Sequence, residues 1–128
     1  MKLLLDTHAL IWWWMGDRRL SLRARETLSA PDVQVYVSAV TAWEVATKFR
    51  IGKLALPAFF VDDFEANIAE QGFRQLAVTV PHGRRAGMLP GAHRDPFDRI
   101  LAAQSHIEDM PLVSDDRAIS ALGARTFW

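Results

Sequence analysis

The chain has 128 residues, half of them hydrophobic, which is enough for one domain that buries roughly two-thirds of the surface exposed by its unfolded form. It has no cysteine, which excludes disulfide bonds, iron–sulfur clusters and thiolate zinc sites. Its formal net charge is zero, so no overall positive field would draw it toward nucleic acid.

The first predicted element is a short buried strand, residues 2–5, which ends at Asp6. Residues 8–15 follow as a predicted helix, and Ser21 is placed to cap a second helix. The apolar run over 3–15 is too short to cross a bilayer and lacks the cleavage site of a signal peptide. We therefore expect a cytoplasmic protein without membrane contact.

The middle of the chain alternates in the same way. Residues 33–37 predict a strand, and Ser38 is placed to cap a helix over 39–50 that carries Glu44. Pro57 then opens a predicted amphipathic helix. Its apolar residues follow helical spacing: Phe60, Val61, Phe64 and Ile68.

A third strand is predicted over 75–80, and a short helix over 81–88. A loop containing proline and glycine leads to Asp95, and the helix over 96–106 holds Asp98 in its first turn.

A fourth strand over 111–114 ends beside Asp116, before a short helix over 117–122 and an edge strand over 124–128. The alternation, with no linker or repeat, predicts a single α/β domain with helices on both faces of a mainly parallel sheet.

Four carboxylates should meet at one edge of this sheet: Asp6, Glu44, Asp98 and Asp116. Crossover helices run antiparallel to parallel strands, so helix N-termini lie at the edge where strands end. Each acid also has a purely structural interpretation, because the aspartates can cap helices and Glu44 can pair with Lys48 four residues on. Converging carboxylates repel, however, and oxygen ligands without cysteine favour Mg²⁺ or Mn²⁺. Such a site suits hydrolysis of a phosphodiester.

Four segments carry a family resemblance. They are MKLLLDTHALIW at residues 1–12, VSAVTAWEV at 37–45, DPFDRILAAQ at 95–104 and LVSDD at 112–116. In this order they resemble the successive blocks of a PIN domain, and in size most resemble a VapC-type toxin, the ribonuclease of a type II toxin–antitoxin pair.

The resemblance implies the PIN fold, a three-layer sandwich with a central sheet of about five strands. It also implies a Mg²⁺- or Mn²⁺-dependent endoribonuclease, a homodimer, and an antitoxin whose tail enters the active-site groove. The family's acidic residues match Asp6, Glu44, Asp98 and Asp116, which makes these four the predicted catalytic and metal-binding residues. Ser38 and Ser114 match small hydroxyl positions.

Some assignments stay open at this point. Asp115 would replace Asp116 if the register shifted by one residue, and Asp95 is either a helix cap or an outer ligand. His8 follows Asp6 closely enough to touch a phosphate, but a histidine in the first turn of a helix is more often just a polar contact. Basic residues are the candidates for holding RNA: Lys48, Arg50, Lys53, Arg84, Arg85, Arg94 and Arg99.

Three consecutive tryptophans, Trp12 to Trp14, cannot all face one core, because neighbouring helical positions are about 100° apart. We expect at least one at the surface, in a dimer or antitoxin interface.

Two alternative functions fit the acids less well. One is a metal-dependent phosphatase or receiver domain, although the chain has His8 where a haloacid dehalogenase phosphatase has a second aspartate. The other is a PIN-like module that binds a metal or partner without catalysis.

Overall fold

The computed structural model describes all 128 residues, which form five strands and eight helices. The strands are β1 (Lys2–Leu5), β2 (Gln34–Ser38), β3 (Arg74–Leu76), β4 (Leu112–Val113) and β5 (Thr126–Phe127). The helices are α1 (Thr7–Met15), α2 (Leu22–Leu28), α3 (Ala39–Arg50), α4 (Phe59–Asp62), α5 (Phe64–Glu70), α6 (Val80–Met88), α7 (Pro96–Glu108) and α8 (Arg117–Ser120). None of the helices combines the length and the apolar character needed to pass through a membrane.

The five strands form one sheet in the order β3-β2-β1-β4-β5, with every pair parallel. Side chains alternate between its faces: Leu3 and Leu5 pack into one core cluster, and Leu4 packs into the other. Helices cover both faces, so the predicted α/β architecture is confirmed. The carboxyl ends of β1, β2 and β4 share one edge with the N-termini of α1, α3 and α7.

Helix starts follow the caps expected from sequence. The Ser21 hydroxyl accepts the N–H of Ala24 at 3.0 Å, and the Ser38 hydroxyl accepts that of Val40 at 3.0 Å. Helix α3 therefore has the predicted bounds, 39–50.

The amphipathic helix predicted after Pro57 is wrong as one element, because the chain breaks it at Asp63 into α4 and α5. Asp63 has a non-helical backbone with φ −115° and ψ 39°. The Asn67 side chain stabilises the break by donating to the carbonyls of Phe59 at 3.0 Å and Asp63 at 2.9 Å.

The third strand is shorter than predicted, and α6 begins at Val80 where the sequence suggested strand. Two reciprocal hydrogen bonds between Thr79 and His82 cap the start of α6, so the helix begins earlier than predicted. The Thr79 hydroxyl accepts the N–H of His82 at 3.4 Å, and Nδ1 of His82 accepts the N–H of Thr79 at 3.0 Å.

The expectation that at least one of Trp12, Trp13 and Trp14 lies at the surface is met only in part, because all three are half-buried against aromatic partners. Trp14 stacks on Phe60 with ring centroids 4.8 Å apart. Trp13 lies 5.6 Å from Phe73, and Trp12 lies 5.7 Å from Trp128. The exposed tryptophan is Trp43 on α3.

Candidate active site

Asp6 lies at the point where β1 passes into α1 and is only 4% exposed. Its Oδ1 accepts the N–H of Ala9 at 2.7 Å, so it caps α1 as the sequence suggested. Its own N–H donates to the carbonyl of Val113 at 3.2 Å, which joins the residue to the end of β4.

Burial raises the pKa of Asp6 from its ordinary 3.8 to about 6. Removal from water disfavours the ionised carboxylate, and the negative charge of Asp98 adds to the effect. The Ser114 hydroxyl, the N–H of Ala9 and His8 oppose it. Asp6 is therefore a carboxylate that a nearby cation would stabilise.

Asp98 lies in the first turn of α7, with Asp95 as the cap of that helix. The Asp95 carboxylate accepts the N–H groups of Phe97 at 2.9 Å and Asp98 at 3.3 Å. Burial raises the pKa of Asp98, the charges of Asp95 and Glu44 raise it further, and His93 opposes them. The contact between Nε2 of His93 and Oδ2 of Asp98 is 2.8 Å.

Glu44 is 2% exposed, so it is not the exposed helix residue that its pairing with Lys48 suggested. The Thr7 hydroxyl donates to its Oε1 at 2.6 Å, and the Lys48 ammonium pairs with its Oε2. Burial lowers the pKa of Lys48, but the bond to Glu44 and the charges of Asp95 and Asp98 outweigh burial and raise it. Lys48 is thus the cation that faces this acidic group.

Asp116 is joined to this group through one hydroxyl. Its N–H donates to Oγ of Ser114 at 3.1 Å, and Ser114 lies beside the Asp6 carboxylate. Its Oδ1 accepts the N–H of Ala118 at 2.8 Å and caps α8. Asp115 is exposed.

The donor set fits a hard divalent ion in chemistry, because it consists of carboxylate and hydroxyl oxygens around a buried acid. In the present side-chain arrangement, no three aspartate, glutamate or histidine side chains are close enough to hold one ion. Glu44 is bound to Lys48, Asp98 to His93 and Asp116 to its own helix. The structure thus brings Asp6, Asp98 and Glu44 into one electrostatic group and leaves Asp116 at its edge.

Arg99 was a candidate for RNA contact, but its guanidinium is committed to backbone carbonyls. It donates to Ala86 at 2.9 Å, to His93 at 3.0 Å, and also to Leu89. These bonds fix the loop over 89–94, which carries His93 to Asp98.

Replacing Arg99 by lysine should release this loop, because an ammonium cannot reach three separate carbonyls at once. We expect a loss of about 2 kcal/mol in unfolding free energy, and faster amide hydrogen exchange over 89–94. Arg94→Lys, an exposed change in the same loop, is the control. Equal exchange in the two variants would contradict this role for Arg99.

Two contributors were not identified from sequence: Thr7 beside Glu44 and His93 beside Asp98. Lys48 was identified only as the partner of Glu44 and as a candidate RNA contact, not as the cation that also faces Asp95 and Asp98. Thr7 and Lys48 carried a usable signal, since both lie next to a predicted acid in the chain or on the helix. His93 carried none, because its position depends on how Arg99 folds the loop.

A family model for the PIN domain matches residues 3–124 of the chain. The chain belongs to the PIN domain family. The resemblance seen in the sequence is thereby confirmed for nearly the whole domain. No curated protein matches it significantly.

Solved structures share the fold of this PIN domain at low sequence identity. VapBC2 from Rickettsia felis, bound to promoter DNA, superposes with TM-score 0.71 at 12% identity, over 98% of this chain and 96% of that one. A toxin–antitoxin complex from Klebsiella pneumoniae gives 0.63 at 21%, over 93% and 90%. FitAcB from Neisseria gonorrhoeae gives 0.61 at 18%, over 100% and 97%.

Proposed function

We propose that this protein is a metal-dependent endoribonuclease that acts as the toxin of a type II toxin–antitoxin pair. The observation that carries the proposal is the group formed by the buried Asp6 and Glu44 and the half-buried Asp98 at the carboxyl edge of a PIN-domain sheet. The charge of Asp98 raises the pKa of Asp6, and the charge of Glu44 raises that of Asp98. Holding these acids together without a metal therefore costs the folded state stability, which supports a functional role for the group.

Mg²⁺ or Mn²⁺ would be held by Asp6 and Asp98, with Asp116 binding directly or through water. Glu44 would be an outer ligand or would orient the attacking water. Bound there, the ion would activate water and neutralise charge on the phosphate. Thr7 holds Glu44 in place, and His93 holds Asp98.

An antitoxin partner is supported by what the compared structures contain. Toxin–antitoxin complexes have the same fold, which supports a cognate antitoxin as the inhibitor of this protein. We further propose a cytoplasmic homodimer that acts on RNA.

The proposed activity is tested by incubating purified, antitoxin-free protein with structured and single-stranded RNA in Mg²⁺, Mn²⁺ or EDTA. We expect cleavage with either metal and none in EDTA. Asp98→Asn should abolish cleavage, because it removes a proposed metal ligand. The protein should stay folded, because the change removes a negative charge from the acidic group. Asp109→Asn is the matched control: Asp109 is an exposed residue at the other end of α7, in the left-handed conformation that asparagine tolerates.

Circular dichroism would verify that both variants are folded. Cleavage retained by Asp98→Asn, or cleavage that persists in EDTA, would contradict a carboxylate-metal mechanism. No cleavage of any substrate by folded wild type would favour the non-catalytic binding module instead.

A further inference from the structure

Trp43 is the large aromatic side chain that α3 presents to solvent, and it is 60% exposed. It precedes Glu44 in the chain, and its neighbour Phe97 likewise precedes Asp98 on α7. The two rings meet edge to face, with centroids 4.8 Å apart and planes at 72°. Phe97 is half-buried and therefore supports the exposed indole.

This aromatic pair lies one side chain away from the acidic group. The Lys48 ammonium is 5.9 Å from the centroid of the Phe97 ring and pairs with Glu44. If the phosphate of a bound molecule lay at the acidic group, a planar ring attached next to that phosphate would lie beside Trp43.

The exposed face of α3 indicates what kind of molecule fits. Ala39, Trp43, Ala46 and Arg50 follow one another at helical spacing and are all exposed. A single large ring stands among small side chains, with a cation two turns further on. A protein interface would favour a wider apolar surface, whereas a ring beside cations matches a base and its phosphate backbone.

We propose that Trp43, supported by Phe97, is a stacking platform for an unpaired RNA base adjacent to the phosphate at the acidic site. The inference rests on the proposed ribonuclease function and adds a preference for single-stranded substrate. Stacking accepts any base, because every base has an aromatic face.

The test uses the Asp98→Asn protein with Mg²⁺, so that binding is measured without cleavage. The probe is a labelled single-stranded RNA of alternating adenine and cytosine, followed by fluorescence anisotropy. Adding Trp43→Leu should weaken binding by about 5- to 150-fold. Adding Trp43→Phe, which keeps a ring, should weaken it far less.

A set of RNAs with one base removed at successive positions then locates the stacked base. At one position, removing the base should weaken RNA binding by the Asp98→Asn protein that retains Trp43. Removing the same base should not further weaken RNA binding by the protein that also carries Trp43→Leu. Absence of such a position overturns the platform. So does a Trp43→Leu protein that changes from dimer to monomer in sedimentation, since a second copy would then cover the ring.

The outcomes separate this inference from the proposed function. If wild type neither cleaves nor binds RNA, both are overturned. If wild type cleaves with metal and Trp43→Leu binds RNA as tightly as its parent, the platform alone is overturned.

Discussion

Replacing Asp6 by asparagine should stabilise the metal-free protein, raising its free energy of unfolding by about 3 kcal/mol at pH 7. The same Asp6→Asn protein should not cleave RNA. Ionising the buried Asp6 carboxylate costs the folded state free energy, because its pKa rises from 3.8 to about 6. Asparagine removes that charge and still caps α1, since asparagine and aspartate cap helices equally well.

The raised pKa of Asp6 determines how its contribution to the free energy of unfolding changes with pH. Between about pH 4 and pH 6 the folded wild type binds more protons at Asp6 than the unfolded chain does. Its Asp6 contribution to stability is therefore present below pH 4 and is lost as pH rises through 6. The advantage of Asp6→Asn should grow over this window and then level off.

Urea unfolding of both proteins from pH 4 to pH 8 measures the difference, with Asp109→Asn as the control for a changed surface charge. Adding Mg²⁺ should stabilise wild type at pH 7 and leave Asp6→Asn unchanged. A constant difference across this pH range would show that burial does not raise the pKa of Asp6.

Lys48→Met should destabilise the metal-free protein by about 3 kcal/mol at pH 7. The substitution keeps most of the apolar stem and removes the cation that faces Glu44, Asp95 and Asp98. Glu44 would then be a buried carboxylate with Thr7 as its hydrogen-bond donor. We take the lower end of the range for buried pairs because the Lys48 side chain is one-third exposed.

The double variant Glu44→Gln/Lys48→Met is the matched comparison, since it removes both charges. It should recover most of the lost stability in urea unfolding. Mg²⁺ should stabilise Lys48→Met more than wild type, because the ion no longer competes with an ammonium for the carboxylates. A Lys48→Met protein as stable as wild type would show that the ion pair contributes little.

Local patterns predicted the parts of the site that depend on neighbouring residues. Asp6 follows a predicted strand, Asp95 follows a predicted loop, and each precedes a helix, so their capping roles could be identified from sequence. Parallel topology then placed Asp6 and Asp98 at one edge, and the rise that the charge of Asp98 causes in the pKa of Asp6 agrees with that placement. The catalytic and metal-binding roles of the four acids remain predictions.

Other features depend on contacts between distant segments, which no local pattern contains. Glu44 is buried because Thr7 of α1 packs against α3, although its spacing from Lys48 is equally typical of a surface pair. The three tryptophans find partners on other elements: Phe60, Phe64, Phe73 and Trp128. The break at Asp63 differs from these, because the Asn67 side chain that stabilises it lies only four residues later in the chain.

The order of strands in the sheet also sets when the acidic group is assembled during synthesis. Strand β1 pairs with β2, which follows soon after it, and with β4, which is made only after α7. Pairing over such a separation is slow, because closing a long loop costs entropy before any contact compensates. A nascent chain that ends before Pro111 lacks the strand that fastens Asp6 beside Ser114. We therefore expect translation products that end before Pro111 to lack the complete site, because Asp6 is not yet joined to the end of β4.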